Sequence, residues 1–352
     1  MKRRFFYVLV FMTLLLNSCS TGESSLLVGS DYSGTKGVEF SFSAEQPPNE
    51  LIPNRAFLVG FNIANHGAFD LRDGDKALLS LSYNNLYFDS PEDMSGSENL
   101  IDVFFSNSQS EGLVTSFTIP GVSPLNPDGG RDYILLGSLT PSLPSQRSVV
   151  DTELRASVCY PYVTKFSDTV CIDQSMFNSD SSREVCMSSV RNYRSQGAPV
   201  AVTKIDPIMT PIDIVSDEVE TSVATYDEDG VFSGVEREVV DTSYFRIQPG
   251  FEVHIEKVGD GTIFYANKLP ENACSENDDR QINVVRIFAN LNIDGLECDQ
   301  EYIRLTNGKG STRCFLPESL TPASNSNYIE NLNIDLDYYH VIDETKSVRI
   351  SR

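Results

Sequence analysis

Cysteine is the residue type whose spacing in this chain carries the most chemistry. There are seven: Cys19, Cys159, Cys171, Cys186, Cys274, Cys298 and Cys314. Cys19 stands directly after an apolar run, where a thiol can be acylated. The other six are an even number, and in an exported protein such a set pairs into disulfides. Cys159–Cys171 is the preferred pair, on either side of an expected turn at Thr164–Phe166. The second half offers Cys298–Cys314 or a bridge from Cys274 to either, and Cys186–Cys274 would clamp the two halves together. A zinc site built on these thiols is not expected, because no C-x-x-C and no closely spaced histidine pair accompanies them.

The remaining chemistry is sparse. His66, His254 and His340 are far apart in sequence, His66 at a strand-end turn and His254 on the polar side of an alternating run. No G-x-S-x-G elbow, P-loop or H-E-x-x-H occurs. Gly259-Asp260-Gly261 begins like a dinucleotide fingerprint, but Phe264 stands where the third glycine belongs, so a turn is expected. Two acidic groups could offer oxygen to Ca²⁺: Asp70, Asp73 and Asp75, and Asp227, Glu228 and Asp229. Neither has the spacing of a twelve-residue calcium loop, so a solvated acidic surface is the default. No cofactor is expected. The 352 residues carry 27 Lys+Arg against 50 Asp+Glu, a net charge of −23. That balance lacks the basic face a nucleic-acid partner requires.

The elements that would position these groups begin with an address. Lys2, Arg3 and Arg4 precede an apolar run from Phe5 to Leu16. Twelve residues of helix rise about 18 Å, too short for a bilayer core of about 30 Å, so this is a signal-peptide core rather than a span. It ends in Leu16-Asn17-Ser18-Cys19, which resembles the lipobox of prokaryotic lipoproteins. The resemblance implies a diacylglycerol on the Cys19 thiol, cleavage before Cys19, and membrane attachment through lipid alone. Residues 1–18 are then the lipoprotein signal peptide and 19–37 a flexible tether. Losing three basic residues makes the body more acidic still. Anionic headgroups would repel it, and the Ser/Gly/Thr-rich tether of roughly 20–25 Å would hold it off the surface.

From Val38 onward, period-2 alternation recurs in short runs: Val38–Phe42, Phe57–Ile63, Leu79–Tyr83, Val114–Thr118, Leu154–Val158, Phe251–Ile255, Val284–Leu291 and Leu332–Leu336. Bounded by Gly, Pro, Asn and Asp, these read as half-buried strands of antiparallel sandwiches. Short helical turns are possible around 90–100 and 175–182. A weak repeat aligns Val59–Gly67 with Phe251–Gly259, each strand ending at a glycine expected to supply a positive φ. These strand–glycine runs, together with Cys159-Tyr-Pro-Tyr-Val-Thr, Val170-Cys171-Ile172-Asp173 and Leu305-Thr-Asn-Gly-Lys-Gly310, resemble immunoglobulin-like or CARDB-like domains of uncharacterised archaeal-type surface proteins.

The expected fold is all-β, two tandem antiparallel immunoglobulin-like β-sandwiches after signal peptide and linker. Residues 38–196 form the first and 197–352 the second, divided near Gly197-Ala198-Pro199. The acidic insert Ser216–Asp241 is expected to be an exposed hairpin or loop. The function expected is a lipid-anchored, extracytoplasmic protein of the cell envelope. Its role would be structural, in adhesion or in envelope assembly, and its partners the membrane (through Cys19) and another envelope or surface protein. A ligand- or Ca²⁺-binding lipoprotein is the alternative, and a β-sandwich envelope hydrolase a third reading. That hydrolase would need two carboxylates facing each other across a cleft.

Overall fold

The structure, a computed structural model, describes residues 32–89, 110–173, 186–226, 232–265, 280–292, 294–321 and 327–352. The first half supplies strands β1 (Val38–Phe42), β2 (Glu50–Leu51), β3 (Phe57–Asn65), β4 (Ala77–Asn84), β5 (Phe88–Asp89), β6 (Ser110–Phe117), β7 (Arg131–Pro141) and β8 (Val149–Asp173). Next come β9 (Arg191–Asn192), β10 (Val200–Tyr226), β11 (Phe232–Lys257), β12 (Thr262–Phe264) and β13 (Val284–Leu291). The chain closes with β14 (Asp294–Gly295), β15 (Glu297–Cys298), β16 (Tyr302–Arg304), β17 (Lys309–Phe315) and β18 (Asn327–Ser351). A single 3-10 turn, Glu318–Leu320, is the one helical element among the described residues.

Period-2 burial explains why these segments are strands. In β8 the inward series runs Leu154, Ala156, Val158, Tyr160, Tyr162, Thr164, Phe166, with exposed or half-exposed residues between most of them. β18 does the same with Leu332, Ile334, Leu336, Tyr338 and His340. The two strands pair antiparallel along their whole length, from Asn327 opposite Asp173 to Ser351 opposite Val149. Inward residues thus face inward residues: Tyr338 lies opposite Tyr162 and His340 opposite Tyr160. A slip of one residue would turn one strand's apolar row to the other face, so burial fixes the register.

This ladder is the centre of a nine-stranded sheet ordered β14-β13-β18-β8-β4-β6, with β2, β12 and β16 attached. All of its pairings are antiparallel except the two-residue β2–β18 contact. A four-stranded sheet, β1-β3-β7-β5, and a five-stranded sheet, β15-β17-β11-β10-β9, complete the fold. One buried apolar cluster joins all three sheets, running from Val59, Phe61 and Leu81 through Tyr160, Tyr162 and Tyr338 to Phe251 and Ile255. The all-β, antiparallel sandwich class expected from sequence is what is found. The front sheets fall almost entirely on one side or the other of residue 196, whereas the back sheet is common to both halves.

Several local expectations change. Thr164–Phe166 is not a turn but the middle of β8, opposite Leu336, Asp335 and Ile334. The alternation continues through Val163-Thr164-Lys165-Phe166, which contains no Gly, Asn or Pro to reverse it. Cys159 and Cys171 therefore lie twelve residues apart on one extended strand and cannot bond to each other. Cys171 pairs instead with Cys186, so the Cys186–Cys274 clamp is also not formed. Cys298 pairs with Cys314, directly opposite it in the β15–β17 ladder. Cys159 is disulfide-bonded as well, while Cys19 and Cys274 lie outside the described residues, as do 90–100 and 175–182.

Gly67 and Gly259 are absent from the positive-φ glycines; their need is space. A Cβ on Gly67 would strike the Tyr162 hydroxyl, and one on Gly259 the carbonyl of Thr35. Ser216–Asp241 is a hairpin as expected, its ladder running unbroken out to Thr225 opposite Gly234. Replacing Cys298 and Cys314 together by Ser should cost about 3 kcal/mol, the loop-closure entropy of a loop of this length. The 16-residue separation is nearly that of Cys171–Cys186, 15 residues, so the two double variants should lower the urea midpoint by similar amounts.

Candidate functional site

A buried polar network lies at the joint between the four-stranded and five-stranded sheets. Three tyrosines from the β8–β18 ladder, Tyr160, Tyr162 and Tyr338, are fully buried there. Tyr162 stacks on Tyr338 at 5.6 Å between ring centroids and meets Tyr160 edge-on at 6.2 Å. Each hydroxyl holds a passing segment. Tyr162 donates to the carbonyl of Gly197 at 2.5 Å, and that carbonyl also accepts the N–H of Ala68. Tyr338 accepts the N–H of Val200 at 3.2 Å. Thr164 donates to the Val200 carbonyl, which leaves Tyr338 to donate to Thr164 Oγ1 at 3.0 Å. The Gly197–Val200 segment, expected as a boundary, is thus pinned to the shared sheet.

Tyr160 extends the network. It accepts the N–H of Val38 at 2.9 Å and donates to His340 Nδ1 at 2.6 Å. His340 Nε2 then donates to the carbonyl of Asp260, also at 2.6 Å. This assigns the neutral Nε2–H tautomer, with both ring nitrogens used. Burial, reinforced by the nearby Lys257 ammonium, lowers the His340 pKa to about 4. Burial likewise pushes the phenols of Tyr160, Tyr162 and Tyr338 upward. Near neutral pH this cluster is uncharged and saturated with hydrogen bonds, an arrangement that holds elements together.

A cleft of about 780 Å³ opens beside His340, lined by Lys36, Glu39, His66, Arg131 and Asp260 among others. Several of its charged groups are paired. Glu39 binds the ammonium of Lys36 and lies 3.2 Å from His66 Nε2. Asp343, on the rim, is held by Arg155 at 2.9 Å and by Ser157. On the far side of the joint, Asp168 is almost wholly buried, with Arg191 at 2.8 Å and the Tyr193 hydroxyl at 2.7 Å. Those two donors share Oδ2, and the N–H of Thr169 donates to Oδ1, so both oxygens of the buried carboxylate are satisfied; the half-exposed Arg191 thereby seats β9 against β8.

The acidic groups suggested as calcium ligands are placed as follows. Asp70 accepts the N–H of Gly121 at 2.7 Å and pairs with Arg72, whose hydrogen bond is the main cause of its lowered pKa. Asp73 pairs with Lys76 at 3.6 Å. Asp75 carries the N–H of its own backbone to the Arg72 carbonyl, closing the turn they share. Asp227, Glu228 and Asp229 lie outside the described residues. The cluster the sequence did not reveal is on β10 and β11, where His254 Nε2 approaches Asp206 Oδ2 at 2.9 Å. The alternating Lys204-x-Asp206 and Glu252-x-His254 were visible, but only the strand register brings them together.

The hairpin of β10 and β11 is the other distinctive feature. β9 pairs with β10 only at Lys204 and Ile205, and β17 with β11 only from Gly250 to Glu256. Beyond these, the ladder continues as two strands to Tyr226 opposite Phe232. At about 3.3 Å per residue the ribbon reaches about 60 Å past the last supporting strand. Its sequence is acidic, including Asp217, Glu218, Glu220, Glu236, Glu238 and Asp241 against Arg237. Among the described residues no third strand pairs with either outer edge of this stretch, and such an edge can take a further strand.

No family model matches this chain, and no curated protein does. Among solved structures, AvmM, which catalyzes macrocyclization in alchivemycin A biosynthesis, aligns with 35% of this chain and 74% of its own, at 13% identity and a TM-score of 0.19. The C-terminal domain of the Streptococcus agalactiae antigen I/II polypeptide BspA covers 90% of this chain and 100% of its own, at 8% identity and a TM-score of 0.20. A partial N-terminal region of an enterococcal surface protein covers 87% and 84%, at 8% identity and a TM-score of 0.20.

Proposed function

We propose that this is a lipid-anchored, extracytoplasmic envelope protein whose role is to hold a binding surface away from the membrane rather than to catalyse a reaction. The observation that carries the reading is the state of the thiols. All five described cysteines, Cys159, Cys171, Cys186, Cys298 and Cys314, are disulfide-bonded, and disulfides persist in oxidising compartments. Export agrees with the basic and apolar N-terminus, and Cys19 after Leu16-Asn17-Ser18 supplies the acylation site. The histidines support a non-catalytic role: His66 faces Glu39, His254 faces Asp206, and His340 is locked between Tyr160 and Asp260. The two-stranded ribbon, with open edges and an acidic composition, is the element suited to meet an envelope or surface partner by strand addition.

Cell fractionation of the parent and of Cys19→Ala tests the anchor. The parent should partition with membranes and be labelled by a fatty-acid probe. Cys19→Ala should lose the label and appear in the soluble extracytoplasmic fraction. A Cys19→Ala protein that stays equally membrane-bound would show the lipid anchor to be wrong.

A further inference from the structure

Asp206 on β10 lies directly opposite Glu252 on β11, and His254 follows Glu252 by two residues. Strand alternation puts all three on one face of the sheet. One ligand atom from each lies within 4.8 Å of the others, and all three side chains are partly buried. Asp206 Oδ2 is used twice, by Lys204 Nζ at 2.6 Å and by His254 Nε2 at 2.9 Å. Asp206 Oδ1 is different: it is buried from solvent and has no hydrogen-bond partner. Glu252 Oε1 has only a long contact, 3.3 Å, from the Ser311 hydroxyl. A buried carboxylate oxygen with no donor is unfavourable unless something electropositive meets it.

We propose that Asp206, Glu252 and His254 form a binding site for a divalent transition-metal cation, with zinc as the ion that fits best. One imidazole and two carboxylates are a borderline-hard donor set. Calcium and magnesium prefer all-oxygen sites, whereas zinc takes nitrogen and oxygen together. The imidazole binds through a ring-nitrogen lone pair, so any proton on that nitrogen leaves to solvent as the metal enters. Lys204 is the competitor, because its ammonium occupies the oxygen shared with His254. Its side chain is 38% exposed, so it can withdraw into water. Arg313, opposite Glu252 on β17, does not compete, since it pairs with Asp299 at 3.0 Å. The ion would tie β10 to β11 near the base of the ribbon, close to where β9 stops supporting it.

The test uses the full chain, free of tags, with disulfides intact and metal stripped by chelator. Zinc alone is titrated by calorimetry and by thermal unfolding. One equivalent should bind and raise the melting temperature, because the ion binds the native state. His254→Gln and Asp206→Asn should each weaken binding by at least about tenfold, with folding checked by circular dichroism. Glu252→Gln gives the same reading should either of those fail to fold. Lys204→Met should tighten binding severalfold, an effect that a purely structural Lys204–Asp206–His254 network does not produce. The proposal is overturned if zinc neither binds at one equivalent nor shifts the melting temperature. It is equally overturned if the ligand variants bind zinc as the parent does, or if calcium stabilises the protein and zinc does not.

Discussion

Removal of residues 327–352 should abolish the fold of the whole body, not of its second half alone. These residues include β18, the strand at the centre of the nine-stranded sheet, flanked by β13 on one side and β8 on the other. Leu332, Ile334, Leu336, Tyr338, Val348 and Ile350 on it are all buried. At about 1.5–3 kcal/mol for each buried side chain, they account for a sum comparable with the whole stability of an ordinary domain, about 5–15 kcal/mol. Their loss also strips the partner from β8 along its length and exposes the tyrosine cluster from behind. The truncated protein should show no near-UV circular dichroism and no cooperative urea transition. If its first half, residues 38–196, kept a cooperative transition, the shared sheet would not be the stabilising element described.

Acid should weaken the parent protein in a window set by His340. The imidazole has a folded pKa lowered to about 4 from a usual 6.5. Between those values the unfolded chain takes up a proton that the native state refuses, so falling pH favours unfolding. The full difference is about 3 kcal/mol, lost progressively from pH 6.5 downward and complete below about pH 4. Asp70 and Asp206, whose pKa values are lowered, contribute only below the ordinary carboxylate range. Asp337, raised by burial, acts in the opposite direction above it. The clean measurement is therefore the difference in urea midpoint between pH 7 and pH 4.5, compared between parent and His340→Gln. The variant should lose most of that difference. An unchanged pH dependence would remove His340 as its source.

The strand positions were legible because they follow from local chemistry. Val284–Leu291 is a strand with the bounds its alternation indicated, and β1 and β3 begin where their apolar periods begin. Side-chain direction alternates with every residue of an extended chain, so a buried face writes itself into the sequence. The Cys298–Cys314 pair was open among local alternatives because its loop is short. Cys171–Cys186 was hidden by a turn assumed at Thr164–Phe166, which the continuing alternation of inward Tyr160, Tyr162, Thr164 and Phe166 contradicts.

His340 could be read only as a histidine far from the others. Its partners, Tyr160 and the Asp260 carbonyl, lie 180 and 80 residues away in sequence. No pattern within one strand encodes such contacts, since they depend on which strands pair and in what register. The same holds for Asp206, Glu252 and His254, whose meeting needs β10 and β11 aligned.

The seven cysteines divide along the same line. By itself the sequence determined an acidic, β-rich chain, an N-terminal run ending at Cys19, and an even set of six other thiols, because charge, period and composition are local quantities. Only the tertiary structure decided that Cys171 bonds Cys186 and that the two halves share one sheet. It also decided which histidine is buried neutral and which faces carboxylates. Those outcomes are set by long-range pairing, where burying two matched apolar rows selects one partner and one register from many that local sequence leaves equal.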